Sequence, residues 1–286
     1  MNHPDNQADK QAQNPLDPSV QPIKITLIGA GGVATNLGRL FNEQGPGVEI
    51  AQLLGRSEKS TAALAEKLNC PYVLSADQLT QKADLYIVSI TDREIKGLLP
   101  KIHIPAASMI VHTAGGVSID IFKGYFENYG VLYPLQSLRK ETSVIARIPF
   151  YLDSNNRNSK AILENFAWKA ALDYRWADDH QRMQLHIAAV FCSNFPNYLY
   201  TLAEDFCTRQ GLDFTSVLPV IEETANRLGR EGLHPATLQT GPAIRQDIPT
   251  TEQHASLLVN DPEAAAVYQY MTQRIMESPL FKQPTK

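Results

Sequence analysis

A short glycine-rich loop is the first part of this sequence that could bind a ligand. The run "IKITLIGAGGVATNLGRLF", residues 23–41, places it between an apolar strand-like segment and a helix-like segment. The loop fits the pattern G-x-G-x-x-G/A and consists of Gly29, Ala30, Gly31, Gly32, Val33 and Ala34. In this pattern the first glycine permits a tight turn, the second lets backbone approach a pyrophosphate, and the small last residue lets the helix pack on the sheet. The helix start also offers free N–H groups to phosphate, so we expect a dinucleotide here; a structural turn without ligand is the alternative.

The end of the second strand-like run indicates which dinucleotide would fit. An NAD site usually has Asp or Glu at this point, where it binds the ribose 2′-hydroxyl. This chain has Leu54-Gly55-Arg56-Ser57 instead, with no carboxylate. Arg56 can pair with a 2′-phosphate, and Ser57 can donate a hydrogen bond to it. The pattern favours NADP over NAD, with a solvated surface arginine as the alternative.

Polar and small residues follow two later strand-like runs, "DLYIVSI" and "SMIVHTA". Ser89, Thr91 and Asp92 lie at the end of the first run, and His112, Thr113, Ala114, Gly115 and Gly116 lie at the end of the second. Ligands of open parallel sheets bind at the carboxyl ends of the strands, so these residues are expected to line the same crevice. Two alternatives stay open: the Thr91-Asp92 pair could cap a helix, and His112 could be a buried histidine whose ring is satisfied.

A long helix-like segment from about His180 carries a second polar set. At 100° per residue, Ser193 lies about −20°, Asn197 about 20° and Asn194 about 80° from His186. These residues would share or border one face, and apolar neighbours such as Phe191 predict that much of the helix is buried. Pro196 should kink it. A core helix with a few satisfied polar residues is the alternative to a ligand-binding face.

A further polar cluster lies in "QTGPAIRQDIPTTEQH", residues 239–254. Arg245 could clamp a substrate carboxylate. An ion pair with Asp247 or Glu252 is the alternative. Thr251 is expected to cap the helix that begins "EQHASLL".

The elements that must position these residues change character along the chain. Short apolar runs alternate with helical segments up to about Asp178, which predicts parallel strands buried on both faces and joined by crossover helices. Helical periodicity alone follows. We therefore predict an α/β fold with a disordered tail over 1–21, a dinucleotide-binding domain over 22–178 and an all-helical domain over 179–286.

Composition and charge exclude several classes of function. The chain has 286 residues, of which 43% are hydrophobic and 20% charged, and its formal net charge is −4. No basic surface for nucleic acid and no apolar run of membrane-spanning length is expected. The N-terminus lacks the pattern of a signal peptide. The three cysteines form no C-x-x-C pair, so neither a disulfide framework nor a metal site is predicted, and a cytoplasmic location fits best.

The whole pattern resembles a known superfamily, that of ketopantoate reductase, pyrroline-5-carboxylate reductase and the β-hydroxyacid dehydrogenases. It resembles more closely the Rossmann-like family whose helical half is domain of unknown function 2520. The matching segments are "GAGGVA", "HTAGG" at 112–116, "YPLQSL" at 133–138, "HIAAVFCSN" at 186–194 and "TGPAIRQD" at 240–247. Two departures stand out: the catalytic lysine of the dehydrogenases is replaced in its region by His186, and the close family tends to have His-Pro where this chain has Tyr133-Pro134.

This resemblance implies a Rossmann-type parallel sheet domain followed by an all-helical C-terminal domain, with NADP as cofactor and a homodimer formed through the helical half. We expect an oxidoreductase that transfers hydride between NADPH and a small carbonyl or imine compound in the crevice between the domains. His186 is the candidate general acid, because imidazole can donate a proton near neutral pH. Asn194 and Asn197 would orient the small-molecule substrate, and Ser89, Thr113 and Gln136 would line the site. The alternatives are a non-catalytic NADP-binding sensor and a purely structural scaffold.

Overall fold

The computed structural model describes residues 21–43, 47–141, 147–229 and 234–281. The predicted N-terminal tail lies outside these residues, apart from Gln21. The chain divides into two compact units, Met1–Ser193 and Asn194–Lys286.

The first unit is built on one sheet, whose described part has eight strands. The first four are β1 (Ile23–Ile28), β2 (Val48–Leu54), β3 (Tyr72–Val73) and β4 (Leu85–Val88). The last four are β5 (Met109–His112), β6 (Asn128–Pro134), β7 (Pro149–Ser154) and β8 (Asp173–Trp176). Their order is β3-β2-β1-β4-β5-β6-β7-β8, so β2 and β3 lie on one side of β1 and the later strands lie on the other, as in doubly wound sheets. The predicted α/β class is therefore confirmed.

Helices cover both faces of this sheet. The helices of the first unit are α1 (Gly32–Glu43), α2 (Glu58–Leu68), α3 (Asp92–Leu98), α4 (Arg157–Lys169) and α5 (Asp179–Ala189). Successive strand residues point to opposite faces, so each strand serves two apolar clusters. Leu27 and Ile87 belong to one cluster, and Ile28 and Val88 belong to the other.

Two details of the sheet differ from the sequence-based expectation. The strands were expected to be parallel, but β7 pairs antiparallel with β6 before β8 resumes the parallel direction. In this antiparallel pair Val131 lies opposite Asp153 and Tyr133 lies opposite Tyr151. The two-residue strand β3 was not predicted, because it is too short to show an apolar period.

The second unit is helical. Its helices are α6 (Phe195–Arg209), α7 (Leu218–Leu228), α8 (Ile248–Leu257) and α9 (Pro262–Glu277). No helix among the described residues is long and apolar enough to cross a membrane. The division after Ser193 lies 15 residues beyond the expected boundary at 178/179, because α5 is anchored to the sheet unit through its first turn.

A π-helical turn over Val190–Asn194 separates α5 from α6. Such a turn has i→i+5 bonds and is wider than an α-helical turn. Regular spacing of 100° per residue therefore does not hold from His186 to Asn197, and the predicted shared face lacks its geometric basis. The expected burial is also wrong: Phe191 is 64% exposed and Ile187 is 52% exposed.

Candidate functional site

The glycine-rich loop joins β1 to α1 at the carboxyl edge of the sheet, and its backbone explains two of its glycines. Gly29 has φ +120°, and a Cβ there would lie 2.5 Å from the carbonyl oxygen of Ser89. Only glycine allows β1 to turn this close to the end of β4. A Cβ at Gly31, by contrast, meets nothing within 4 Å. Gly31 thus leaves open the space that a pyrophosphate needs.

A cleft of about 710 Å³ opens beside this loop. The predicted cofactor residues that line it are Gly29, Ala30, Gly31, Gly32, Val33, Arg56, Ser57, Ser89 and Thr91. The loop, the end of β2 and the start of α3 form its walls. Ala34, in the first turn of α1, does not line the cleft and is fully buried in the apolar cluster that α1 shares with the sheet, as the packing role of this position requires. The cleft, the glycine loop and the start of α1 together fit a dinucleotide phosphate.

Arg56 lies in the cleft but is not a free cation. Its Nη1 donates a hydrogen bond of 2.6 Å to Oε1 of Glu94, in α3, and the Thr91 hydroxyl donates to the other carboxylate oxygen. Both hydrogen bonds lower the pKa of Glu94, and the bond from Thr91 has the larger effect. Thr91 occupies the capping position of α3, but its side chain binds Glu94 rather than a backbone N–H. Sequence reasoning missed Glu94, because nothing in the spacing of residues 56 and 94 predicts their contact.

The predicted residues at the end of β5 and just after it do not line this cleft. His112 is fully buried, and Thr113 and Ala114 are each 8% exposed. Nδ1 of His112 accepts a 3.2 Å hydrogen bond from the Ala114 backbone, whereas Nε2 is buried without a hydrogen bond. Burial, with a contribution from the charge of Arg182, lowers the pKa of His112 from 6.5 to about 4. Of the alternative of a buried histidine with a satisfied ring, the burial applies to His112, but only Nδ1 of the ring has a hydrogen-bond partner.

A histidine–tyrosine pair stands against Gly115. The Tyr133 hydroxyl, at the end of β6, lies 2.9 Å from Nδ1 of His186, in α5. A Cβ at Gly115 would lie 2.8 Å from the same Nδ1 and 3.0 Å from the Tyr133 ring, so only glycine fits between the loop and the pair. Burial raises the pKa of Tyr133, which keeps its phenol protonated. Tyr133 appeared in the sequence only as a departure from His-Pro, and its pairing was not predicted.

A buried arginine holds the loop that carries Gly115. Arg182 is 1% exposed, and its Nη2 donates to the Val117 carbonyl and to the Asp179 carboxylate. Asp179 also accepts from the Ile119 backbone N–H at 3.0 Å. Burial alone would raise the pKa of Asp179, but its hydrogen bonds and the charge of Arg182 lower it. The start of α5 is therefore clamped to residues 117–119.

The remaining predicted residues belong elsewhere. Gln136 is exposed in the loop after β6. Asn194 and Asn197 are exposed residues of the second unit, at and just inside the start of α6. Asp247, not Thr251, caps α8: its side chain accepts from the Thr250 backbone N–H. Sequence reasoning chose Thr251 because it placed the start of α8 four residues too late.

Two family models match the chain. An oxidoreductase family model with an NAD-binding Rossmann fold matches residues 23–105, and domain of unknown function 2520 matches residues 148–275. No curated protein sequence matches.

Solved structures extend the match over most of the chain. A Bacteroides fragilis protein, provisionally designated an NADP oxidoreductase, is 35% identical over 90% of this chain and 99% of its own, with a TM-score of 0.83. A pyrroline-5-carboxylate reductase from Streptococcus pyogenes is 17% identical, covers 90% and 99% of the two chains and has a TM-score of 0.60. A reductive aminase from Aspergillus terreus, solved with NADPH, is 13% identical, covers 89% and 92% and has a TM-score of 0.63. The last two show a shared fold.

The cleft of the first unit, the two family models and the 35% identity to the Bacteroides protein agree with the resemblance found in the sequence. The chain belongs to the Rossmann-like family whose helical half is domain of unknown function 2520.

Proposed function

We propose that this protein is an NADP-dependent oxidoreductase that transfers hydride between NADPH and a small carbonyl or imine compound. The observation that carries the proposal is the His186–Tyr133 pair against Gly115, since it puts a proton-donating group by the carboxyl ends of β5 and β6. The dinucleotide cleft opens at the same edge of the sheet. We place the activity in the cytoplasm, where reducing conditions suit three free cysteines.

The chain's own residues would supply the proton and the geometry. NADPH, when bound, supplies the hydride. The oxygen or nitrogen of the reduced substrate then needs a proton, and imidazolium can donate one near neutral pH. Because Nδ1 of His186 is paired with Tyr133, Nε2 is the ring nitrogen that would face the substrate. Burial raises the pKa of Tyr133, which makes its phenol a weaker proton donor, and its hydroxyl is already paired with Nδ1, so we assign Tyr133 the role of orienting the ring.

The experiment is a comparison of His186→Asn with His180→Asn in the same helix. A screen of carbonyl and imine compounds with NADPH comes first. His186→Asn should then reduce turnover by about a hundredfold or more, because a positioned acid contributes on that scale. NADPH affinity, measured by calorimetry, should stay within about twofold of wild type, since His186 lies outside the cleft. His180 is exposed, and its variant should behave as wild type.

Two outcomes would change the proposal. Wild-type turnover by His186→Asn would remove this residue as the acid. Tight NADPH binding without reductase activity across a broad panel would favour a non-catalytic NADP-binding sensor instead.

The preference for NADP over NAD is part of the proposal and is supported by Arg56 and Ser57 in the wall of the cleft. A charge-assisted pair with the 2′-phosphate should be worth about tenfold or more in affinity. Arg56→Ala should therefore weaken NADPH in calorimetry and leave NADH nearly unchanged. Equal weakening of both dinucleotides would refute the assignment of Arg56.

We also propose a homodimer through the helical half. Few side chains of the described second unit are buried, whereas Val220, Val259 and Leu280 are 65%, 73% and 77% exposed. So many exposed large apolar residues are unusual in a monomer, and closed pairs of identical chains are the commonest oligomer. Light scattering should give about twice the chain mass of 31.8 kDa. A monomer at micromolar concentration would contradict this part of the proposal.

A further inference from the structure

The two walls of the dinucleotide cleft are joined by one ion pair, Arg56 to Glu94. Arg56 follows β2, and Glu94 lies in the first turn of α3. Both line the cleft, and their side chains are 2.6 Å apart. Thr91 holds the second carboxylate oxygen, so Glu94 is fixed from both sides. The guanidinium that could bind a 2′-phosphate is thus bound by an anion of this chain.

This pair is easy to rearrange. The Arg56 side chain is 89% exposed and that of Glu94 is 39% exposed. Exposed ion pairs contribute little to stability, so a ligand can displace one partner at small cost. Arginine has five N–H donors and can bind two anions at once. A 2′-phosphate on Arg56 would then lie beside the Glu94 carboxylate, and the two like charges repel.

A dinucleotide without the 2′-phosphate would be attracted by the Glu94 carboxylate and not repelled by it. Its ribose 2′-hydroxyl can donate a hydrogen bond to a carboxylate, which is the role of the acidic residue that many NAD sites have at the end of the second strand. That strand end has no acid here, but Glu94 supplies one from the other wall of the cleft.

We propose that Glu94 sets the preference between NADPH and NADH, because it competes with the 2′-phosphate for Arg56 and offers an acceptor to the 2′-hydroxyl. Glu94 is a specificity-determining residue that moderates the preference given by Arg56. This inference rests on the proposed dinucleotide function.

The test is calorimetry of the whole protein with NADPH and NADH, for wild type, Glu94→Gln and the control Glu58→Gln. Glutamine keeps an oxygen for Thr91 but removes the charge. Glu94→Gln should bind NADPH about fivefold more tightly or better, with NADH unchanged or weaker. Glu58 lies at the start of α2 and does not line the cleft. Glu58→Gln removes the same charge nearby, and it should leave the ratio of the two affinities unchanged. In the Arg56→Ala background the gain from Glu94→Gln should disappear.

Each other result counts against the inference in a distinct way. A ratio within about twofold of wild type in Glu94→Gln would overturn it while leaving the proposed function intact. An equal effect of Glu58→Gln, or a gain that persists without Arg56, would show a general charge effect and overturn the competition for Arg56. If wild type binds neither dinucleotide, the proposed function fails, and this inference fails with it.

Discussion

Acidification should destabilise the fold through His112, and the size of the effect follows from its burial. The folded protein keeps this ring neutral until about pH 4, whereas the unfolded chain protonates it near 6.5. Between those values the unfolded state binds the proton and the folded state does not, so stability falls as pH falls. The loss is about 1.36 kcal/mol per pH unit, and it levels off at about 3.4 kcal/mol below pH 4.

The measurement is urea unfolding of the wild type and of His112→Asn at pH 7 and pH 5. His112 should contribute a loss of about 2 kcal/mol over this interval, since about 1.5 pH units lie below 6.5. Carboxylates titrate in both proteins, so the informative quantity is the difference between the two losses. Asn offers an oxygen to the Ala114 N–H that now binds Nδ1. The exposed His103 provides the control, and His103→Asn should lose as much stability as wild type.

Equal losses in wild type and His112→Asn would refute the reasoning. If the variant does not fold, NMR titration of the wild-type ring replaces the unfolding experiment. A His112 pKa near 6.5 would then refute the reasoning.

Three further predictions concern the cleft, the clamp and the histidine–tyrosine pair. Gly31→Val should abolish dinucleotide binding with little change in the thermal transition, because its side chain points into open space; normal binding would make the loop only a turn. Arg182→Met should cost about 1.5–3 kcal/mol in urea unfolding, since the Val117 carbonyl and the partly exposed Asp179 carboxylate lose a charged donor, whereas exposed Arg175→Met should cost under about 0.5 kcal/mol. Tyr133→Phe should lower kcat about tenfold and leave KM and NADPH affinity within about twofold of wild type; an unchanged kcat would give Tyr133 a packing role alone.

The strands of the first unit were predictable because burial on both faces leaves uninterrupted apolar runs. "KITLIGA" and "DLYIVSI" locate β1 and β4 within a residue or two, since such runs are short and bounded by polar residues. Strand direction was not predictable in the same way, because β7 has the composition of a parallel strand. Its orientation depends on the connection that precedes it.

The candidate site was predictable only where local sequence determines it. The glycine loop, Arg56 and Ser57 follow directly from one βαβ unit, and they line the cleft together. The contacts of Glu94 with residue 56 and of Tyr133 with residue 186 join positions 38 and 53 residues apart. No period or motif connects positions so distant, so these pairs become visible only in three dimensions.

The position of His186 depends on the first turn of its own helix. A capping box of Asp178 and Gln181 starts α5, and Arg182 then binds the loop at Val117. Residues four apart lie on one face of a helix, so burying Arg182 turns His186 toward the same loop, where it meets Gly115. Burying the Arg182 guanidinium costs free energy of desolvation. Its bonds to the loop fix the distance between the His186 ring and that loop. A proton donor carried on a helix needs such an anchor, because rotation by one residue would move its ring through about 100° and away from the carboxyl edge of the sheet.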